Sequence, residues 1–403
     1  MPCRPQRALD SSESVKSSLW LATLGALCAV GPLSIDMYLA ATPAIAAEFG
    51  AAPSGVSRSI ATYLVGVLLG QVIHGVVSDR CGRKPPLCAG LLVYSVSSFA
   101  CACTSQIEWF VALRFVQGAG GSAGVVIARA MIHDRGDTRG MARSFSLLML
   151  VVSVAPLVAP LAGSLLLDAI GWRAIFSAMG AYGVILVAVS TALPETHDRR
   201  EGSPLTGESA LRVCAQVFAD RRFVTWGLSN GLLQGGMYAY VSLSSIVIID
   251  AYQQPPGFFS IVFAANSLGM IVAAQINARL VMKMRLRSVV KTALWVATLS
   301  LGALAAVPGQ PPLPILLAAI FVYLAAIGFV APNSAAMALA AHADRAGAAS
   351  ALLGMLLYGV GALSGAVAVH VFPTSPTQAM ILVMTSCSIS AIMVFFWTRH
   401  DPS

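Results

Sequence analysis

The sequence predicts an all-α integral membrane protein with twelve transmembrane helices in two six-helix bundles. Three observations lead to this prediction. Hydrophobic residues make up 57% of the 403 residues and charged residues only 10%, whereas ordinary soluble domains carry about 25% charged residues. The apolar residues form continuous runs, and the basic residues fall on alternate loops. A soluble enzyme, a disordered chain and a secreted disulfide-stabilised domain are therefore excluded.

The apolar runs define the helices. A bilayer core about 30 Å thick needs about 20 apolar helical residues for each crossing, and continuous rather than alternating runs exclude barrel strands. The least apolar run contains Arg114 and Arg129, and we expect its membrane-embedded part to end before Arg129. The predicted helices are residues 19–40, 56–78, 85–105, 107–133, 142–167, 171–194, 223–249, 257–281, 288–308, 313–337, 347–372 and 376–398. The first is interpreted as a retained helix, because eleven more follow and its run exceeds that of a signal peptide.

Basic residues predict the orientation. All of the 25 Lys and Arg except Arg58, Arg114 and Arg173 fall in the two termini or in even-numbered loops. Under the positive-inside rule these segments are cytoplasmic, so both termini are cytoplasmic and the number of helices is even. The net charge of +8 is thereby accounted for by topology, and we do not expect nucleic-acid binding.

The longest hydrophilic stretch divides the chain. Residues 195–222 carry most of the charges between the sixth and seventh runs. We predict a bundle at 1–194, a cytoplasmic linker at 195–222 and a second bundle at 223–403. Parallel six-helix halves are a known transporter architecture, with the substrate site between them near the bilayer midplane.

Two ionisable residues lie at membrane depth away from the helix ends, Asp36 in the first run and Arg114 in the fourth. Such residues are costly in lipid, so each is a candidate functional group. A carboxyl group in a low-dielectric cavity favours its neutral form and a nearby cation favours the charged form, which suits Asp36 to proton coupling. Two alternatives remain open. Asp36 could be an interfacial residue reached by water, and Arg114 could be a structural arginine satisfied by carbonyls and Gln117. His74 lies nearer a helix end and is a weaker candidate.

The most specific motif is the loop after the second helix, G-V-V-S-D-R-C-G-R-K-P at 75–85. Gly82 permits a tight turn, and Pro85 suits the first turn of the next helix. Arg80, Arg83 and Lys84 are expected at the cytoplasmic face. Asp79 among these cations suggests a salt-bridge switch.

Two prolines four residues apart, Pro156 and Pro160, precede Gly163 in the fifth helix. Each proline removes an intrahelical hydrogen bond and kinks the axis. Ordinary proline content of membrane helices is the alternative explanation.

These motifs resemble those of a known family. The loop 75–85 resembles the signature of the major facilitator superfamily, R-x-x-Q-G-x-G at 114–120 its fourth-helix motif, and Pro156/Pro160/Gly163 the fifth-helix motif of its drug/proton antiporters. The segments at 34–39, 128–134, 171–176 and 193–196 together resemble its bicyclomycin- and chloramphenicol-resistance (Bcr/CflA) branch. The likeness is strong in the first half; in the second it depends on Pro332-Asn333 and helix spacing.

The resemblance implies roles for individual residues. It implies the major facilitator fold, Asp36 as proton carrier and Arg114 as its electrostatic partner. It also implies a cytoplasmic latch between the halves, formed by Asp79, Arg83 and Asp134 within the motif that includes Arg80, Gly82 and Lys84. Polar or adaptable side chains in otherwise apolar helices are candidates for the substrate cavity. They are Met37, Tyr38, Gln117, Asn230, Gln234, Tyr238, Asn266 and Asn333.

The predicted function is proton-coupled efflux of small amphipathic drugs or toxic metabolites by alternating access, in the cytoplasmic membrane of a bacterium. The alternative is a dedicated exporter of one metabolite, such as a sugar or amino-acid derivative. A receptor or a membrane enzyme is less favoured, since the tails are short and no Ser/His/Asp set lies at a common depth. We expect protons, small amphipathic molecules and lipid as partners, a monomer, and neither cofactor nor metal.

Overall fold

The structure, a computed structural model, describes residues 11–134, 138–196, 212, 215–306, 309–340, 342, 346–371 and 375–397. In this part of the chain every regular element is helical. The α-helices are α1 (Ser11–Asp36), α2 (Thr42–Glu48), α3 (Pro53–Cys81), α4 (Lys84–Cys103), α5 (Ile107–Asp134), α6 (Thr138–Ala169), α7 (Trp172–Thr191), α8 (Arg221–Ser245), α9 (Pro256–Leu280), α10 (Leu286–Ala305), α11 (Leu313–Ala340), α12 (Ala346–Val371) and α13 (Pro376–Trp397).

Twelve segments of the described chain are long and apolar enough to cross a membrane. Each corresponds to one predicted run, so the all-α membrane fold is confirmed. Helices α1 and α2 together form the first segment, Trp20–Glu48. Each of the other eleven lies within one of the helices α3 to α13, except that the seventh also includes the π-helical turn after α8.

Two predicted helices are interrupted near one end. The run predicted at 19–40 leaves the α-helical form after Asp36, makes a 3-10 turn at Leu39–Ala41 and resumes as α2. Pro43 contributes to this break, because it has no N–H to donate to the carbonyl of Leu39 four residues earlier. The run predicted at 223–249 changes to a π-helical turn at Ile246–Ala251. The break places Asp36 at the end of an α-helix rather than inside one.

The fourth membrane helix is longer than its predicted embedded part. Helix α5 continues past Arg129, whose side chain is exposed, as far as Asp134. Met131 and Ile132 are buried beyond it. The extension is significant for the site, since it carries the Asp134 carboxylate to the turn between α3 and α4.

The helices pack in two groups. In the first, α3 lies along α5, α4 packs against α5 and α7, and α1 packs against α5 and α6. In the second, α8 packs against α11, α12 and α13, while α11 also packs against α9 and α10. The main contacts between the groups are α3 with α12 and α6 with α9. Most of the predicted linker, 197–211 and 213–214, lies outside the described residues, and the division of the chain at 194 and 223 stays a prediction.

Candidate functional site

The Asp36 carboxyl group lies where the two groups of helices meet. Asp36 ends α1 and is only 6% exposed. Among the described residues, none donates a hydrogen bond to its carboxyl group and none forms an ion pair with it. The turn that follows it, Leu39–Ala41, contacts α6 of the first group and α8 and α9 of the second. Asp36 is therefore a buried carboxyl group next to a turn that contacts both groups of helices.

Arg114 is fully buried inside the first group of helices, at 0% exposure. Its guanidinium carbon lies 4.4 Å from the ring centroids of both Tyr38 and Tyr63. It donates one hydrogen bond to the carbonyl oxygen of Ser34, at 2.9 Å, and another to Gln117. Aromatic faces and carbonyl oxygens thus compensate the positive charge, and cation–π contacts of this kind gain strength when desolvated.

The resemblance to the superfamily implied that Arg114 is the electrostatic partner of Asp36. The nearest described link between the two is indirect: Arg114 binds the backbone of Ser34, two residues before Asp36 on α1. Gln117 accepts from Arg114 and donates to Ser98 at 2.6 Å. These contacts with a carbonyl oxygen and with Gln117 are the ones named for the alternative, a structural arginine, and the partnership with Asp36 stays a prediction.

The residues of the motif after α3 form one cluster around Arg83. The Arg83 guanidinium is bound by Asp79 at 2.5 Å and by the two carboxylate oxygens of Asp134 at 2.9 and 3.1 Å. It also donates to Ser78 at 3.0 Å. Burial lowers the pKa of Arg83, but the hydrogen bonds to Asp134 and Asp79 raise it by more, so this pKa lies above its ordinary value. All of these contacts are within the first group of helices, and the action of the cluster as a latch between the groups stays a prediction.

Glu195 completes this cluster, a role that sequence analysis did not assign to it. Its carboxylate accepts from the backbone N–H groups of Arg83, at 2.9 Å, and Lys84, at 3.1 Å. It therefore caps the N-terminus of α4, where unpaired N–H groups and the helix dipole favour an anion. Gly82 has φ +90°, and a Cβ on it would lie 3.1 Å from the Glu195 carboxylate. The turn thus needs glycine for its backbone conformation, and a Cβ there would also crowd the Glu195 carboxylate.

Two neighbours tie the cluster to the end of α7. Lys84 donates from its ammonium group to the carbonyl oxygen of Thr191 at 2.8 Å. The hydroxyl of Thr196 donates to Asp134 at 3.0 Å. The only sequence signal for this arrangement was the segment 193–196, which resembled the Bcr/CflA branch without indicating a contact.

The proline segment of α6 contacts both groups of helices. Gly163 lies so close to the C-terminal end of α1 that a Cβ on it would be 1.8 Å from the carbonyl oxygen of Met37, the residue after that helix. On α9, the Ser260 hydroxyl lies 2.9 Å from the carbonyl oxygen of Pro160 and 3.1 Å from that of Pro256 on its own helix.

A second serine on α9 shows the same pattern. The Ser267 hydroxyl lies 3.5 Å from the carbonyl oxygen of Pro156 and 3.0 Å from that of Phe263 on its own helix. Pro160 has no N–H for the Pro156 carbonyl, and hydroxyl groups of neighbouring helices commonly approach such freed carbonyls in membrane proteins.

The predicted cavity residues are distributed over several contacts. Tyr38 and Gln117 belong to the surroundings of Arg114, and the Tyr38 hydroxyl bonds to Ser59 at 2.8 Å. Met37 is half-buried beside Gly163. These three therefore contact helices of the first group.

The remaining cavity candidates lie in the second group. Gln234 donates to Asn230 one turn earlier on α8, at 3.0 Å, and Asn266 donates to Tyr240 at 3.0 Å. Tyr238 is 8% exposed, with its ring 6.5 Å from that of Tyr358. Their assignment to a substrate cavity stays a prediction.

Asn333 has a partner that the sequence did not indicate. Asn333 donates to the side-chain oxygen of Asn277 at 2.8 Å, and Asn277 donates back at 3.3 Å. Both residues are buried, at 4% and 3% exposure. This reciprocal amide pair joins α9 to α11.

His74 lies between α3 and α5. Its Nδ1 lies 2.8 Å from the carbonyl oxygen of Gly70 and 3.2 Å from the Ser122 hydroxyl. Within the described residues, no group of three or more His, Cys, Asp or Glu is arranged to hold a metal ion.

Comparison with known proteins decides the family. Residues 23–366 match the profile described as Major Facilitator Superfamily. The chain belongs to the major facilitator superfamily. It is 37% identical over 385 residues to an uncharacterized MFS-type transporter, YdgK, of Bacillus subtilis, covering 94% of each chain. It is 28% identical to a bicyclomycin resistance protein homolog of Haemophilus influenzae, covering 94% of this chain and 96% of that one.

Solved transporters of this superfamily share the fold. The nucleoside transporter NupG superposes with a TM-score of 0.76 at 13% identity, over 94% of this chain and 99% of that one. The xylose transporter XylE from E. coli, in a partially occluded inward-open conformation, gives 0.71 at 14% identity, over 97% and 100%. The profile match confirms the predicted superfamily, the superpositions confirm the fold, and the bicyclomycin resistance relative agrees with the predicted branch. Members of the superfamily are transporters rather than enzymes, as the sequence predicted.

Proposed function

We propose that this major facilitator protein is a proton-coupled exporter of small amphipathic molecules, working by alternating access in a bacterial cytoplasmic membrane. Two relatives support export of drugs: the bicyclomycin resistance protein homolog, and the multidrug resistance protein MdtL of Salmonella heidelberg, 29% identical over 250 residues. The basic residues at one end of the helices support cytoplasmic termini. We further propose a monomer with two rigid units, residues 1–194 and 223–403, joined by the linker 195–222.

The observation that carries the proposal is the position of Asp36. A carboxyl group buried at the boundary of the two groups changes its surroundings whenever the groups move relative to each other. Its preference for the protonated form then changes as well, because both desolvation and nearby dipoles set that preference. Proton uptake on one side and release on the other follow from such a change. Arg114 would act on Asp36 indirectly, by fixing the Ser34 backbone of the same helix.

The experiment that tests the proposal is a susceptibility screen of an expressing strain against a broad panel of antibiotics, with and without an uncoupler. We expect protection against several unrelated compounds, and loss of that protection when the uncoupler collapses the proton gradient. Protection against one compound alone would favour the dedicated exporter. Protection that persists with the uncoupler would contradict proton coupling.

The cluster around Arg83 gives a prediction about turnover. Asp79 forms an ion pair with Arg83, and its side chain is 65% exposed. When Asp79 is neutralised, Arg83 keeps its second ion pair, with Asp134. Exposed pairs contribute only about 0–1 kcal/mol to stability, so Asp79→Asn should leave the melting temperature nearly unchanged. We expect turnover to fall about tenfold, a rise of about 1.4 kcal/mol in the barrier, with little change in substrate affinity. Asp168→Asn, which neutralises an exposed carboxylate at the end of α6, is the control. Equal losses of affinity and turnover would contradict a latch.

Single-proton coupling through Asp36 gives a prediction about energetics. Exchange of one proton for a neutral substrate moves one net charge inward, whereas exchange for a monovalent cation moves none. A membrane potential supplies ~2.3 kcal/mol per charge per 100 mV, which is about 1.6 decades of concentration ratio at ~1.4 kcal/mol per decade. The test uses proteoliposomes with a potassium–valinomycin potential and equal pH on both sides. We expect the potential to drive accumulation of neutral substrates and to have no effect on the accumulation of monovalent cations. Neutral-substrate transport that ignores the potential would exclude coupling to a single proton.

A further inference from the structure

The turn between α9 and α10, with the adjoining helix ends, carries five cations that have no described ion-pair partner. Five basic residues within 279–291 are exposed or half-buried. No described residue forms an ion pair or a side-chain hydrogen bond with any of the five. The set, called the basic surface below, is Arg279, Lys283, Arg285, Arg287 and Lys291.

The corresponding turn in the first group of helices shows how the protein neutralises such a turn internally. Between α3 and α4, Asp79 and Asp134 form ion pairs with Arg83. The Glu195 carboxylate accepts hydrogen bonds from the first backbone N–H groups of α4. At the start of α10 the flanking residue is Arg285, with no side-chain hydrogen bond to cap the helix.

The second group of helices offers no described carboxylate for the basic surface. Asp220, which precedes α8, binds His342 at 2.9 Å and the backbone N–H of Arg222 at 2.8 Å. Asp250 lies at the other end of α8, in the π-helical turn. No described carboxylate therefore neutralises the positive charge of the basic surface.

Apolar side chains stand next to these cations. Met282 and Met284, in the same turn, are 83% and 45% exposed, and Trp397 at the end of α13 is 75% exposed. Helix α13 packs against α10, and Arg287 lies 5.5 Å over the ring of Phe395 on α13. Tryptophan is enriched where a membrane meets water, so cations and apolar groups here match the two layers of a lipid surface.

We propose that the basic surface binds the phosphate headgroups of anionic phospholipids, with Met282 and Trp397 entering the interfacial layer of the bilayer. Arginine and lysine both bind phosphate, arginine through paired hydrogen bonds and lysine as a point charge. A soluble phosphate or a nucleic acid would use the charges and leave the apolar side chains in water. A lipid uses both, and so it is the occupant that fits. The bound headgroup takes the position that the Glu195 carboxylate holds in the first group.

The test compares lipid binding by purified protein, measured by native mass spectrometry with phosphatidylglycerol and with phosphatidylcholine. The variant K283Q/R285Q/K291Q removes three exposed cations of the basic surface. The control R199Q/R200Q/R212Q removes equal charge from the predicted linker. Each cation near an anionic lipid surface contributes about fivefold in affinity. We expect the first variant to bind phosphatidylglycerol at least about tenfold more weakly, and the control to bind it unchanged.

Further measurements separate a lipid site from other causes. Melting temperatures in detergent without added lipid should agree for the unaltered protein and both variants. Met282→Ser should weaken phosphatidylglycerol binding without any change of charge. On the unaltered protein, soluble glycerol phosphate should fail to displace phosphatidylglycerol. Equal weakening by both triple variants, unchanged binding by the first, or displacement by glycerol phosphate would each overturn the proposal.

Discussion

Asp36→Asn should abolish uphill efflux while leaving the protein folded. The amide keeps the size of the side chain and can form hydrogen bonds, but it cannot release a proton. Asp36 is 6% exposed and has no described ion-pair partner, so the substitution leaves no buried cation unpaired. We therefore expect transport against a gradient to fall to background, whereas exchange of substrate down its gradient continues. Transport into inverted membrane vesicles energised by a proton gradient measures the first, and counterflow in proteoliposomes measures the second.

The control for this prediction is Asp168→Asn. It makes the same chemical change at the exposed end of α6 and should transport normally. If Asp36→Asn, expressed at the level of the unaltered protein, accumulates substrate at the full rate, Asp36 is not the proton carrier. If it loses downhill exchange as well, Asp36 is required for substrate binding or for the movement itself.

Gly163→Ala should cause the largest loss of stability among single-methyl additions. The new Cβ would lie 1.8 Å from the carbonyl oxygen of Met37, and 2.7 Å from its carbonyl carbon. Backbone atoms cannot move aside as a flexible side chain can, so α1 and α6 must separate. Overpacking typically costs about 1–3 kcal/mol, occasionally more, and we expect about 3 kcal/mol or more here.

Melting of the purified protein in detergent, followed by tryptophan fluorescence, measures this loss. The matched controls are Gly31→Ala on α1 and Gly359→Ala on α12, because a Cβ at either position meets nothing within 4 Å. Both should melt close to the unaltered protein. If the Gly163→Ala protein has the same melting temperature as these controls, α1 and α6 can separate at this point with little loss of stability.

The sequence predicted the membrane helices well because the length of an apolar run is enough to identify a helix that crosses the membrane. It did not predict that the α-helix stops at Asp36 or that a π-helical turn ends the seventh crossing, since both lie inside segments that are apolar enough to cross the membrane. Contacts between residues close in the chain, such as Arg114 with Gln117, could be predicted from helical spacing. Distant partners could not. Neither Glu195 at the start of α4 nor Asn277 beside Asn333 has a sequence signal for its contact, because packing of separate helices creates each one.

The hydrogen bonds of α9 differ in what happens when they break. Ser260 and Ser267 each face a proline carbonyl on α6 and, almost equally close, a carbonyl one turn back on their own helix. If α6 moves away, each hydroxyl retains an acceptor, so the boundary between the two groups opens without leaving a polar hydrogen unpaired. The Asn333 amide also donates to the carbonyl oxygen of Phe329, one turn back on α11, at 2.9 Å. Separating Asn277 from Asn333 would still leave both side-chain oxygens and the Asn277 N–H groups without their described partners, and each partner lost in an apolar interior is costly. In the proposed movement α9 would therefore separate more easily from α6 than from α11, and the chemistry of four side chains makes this difference.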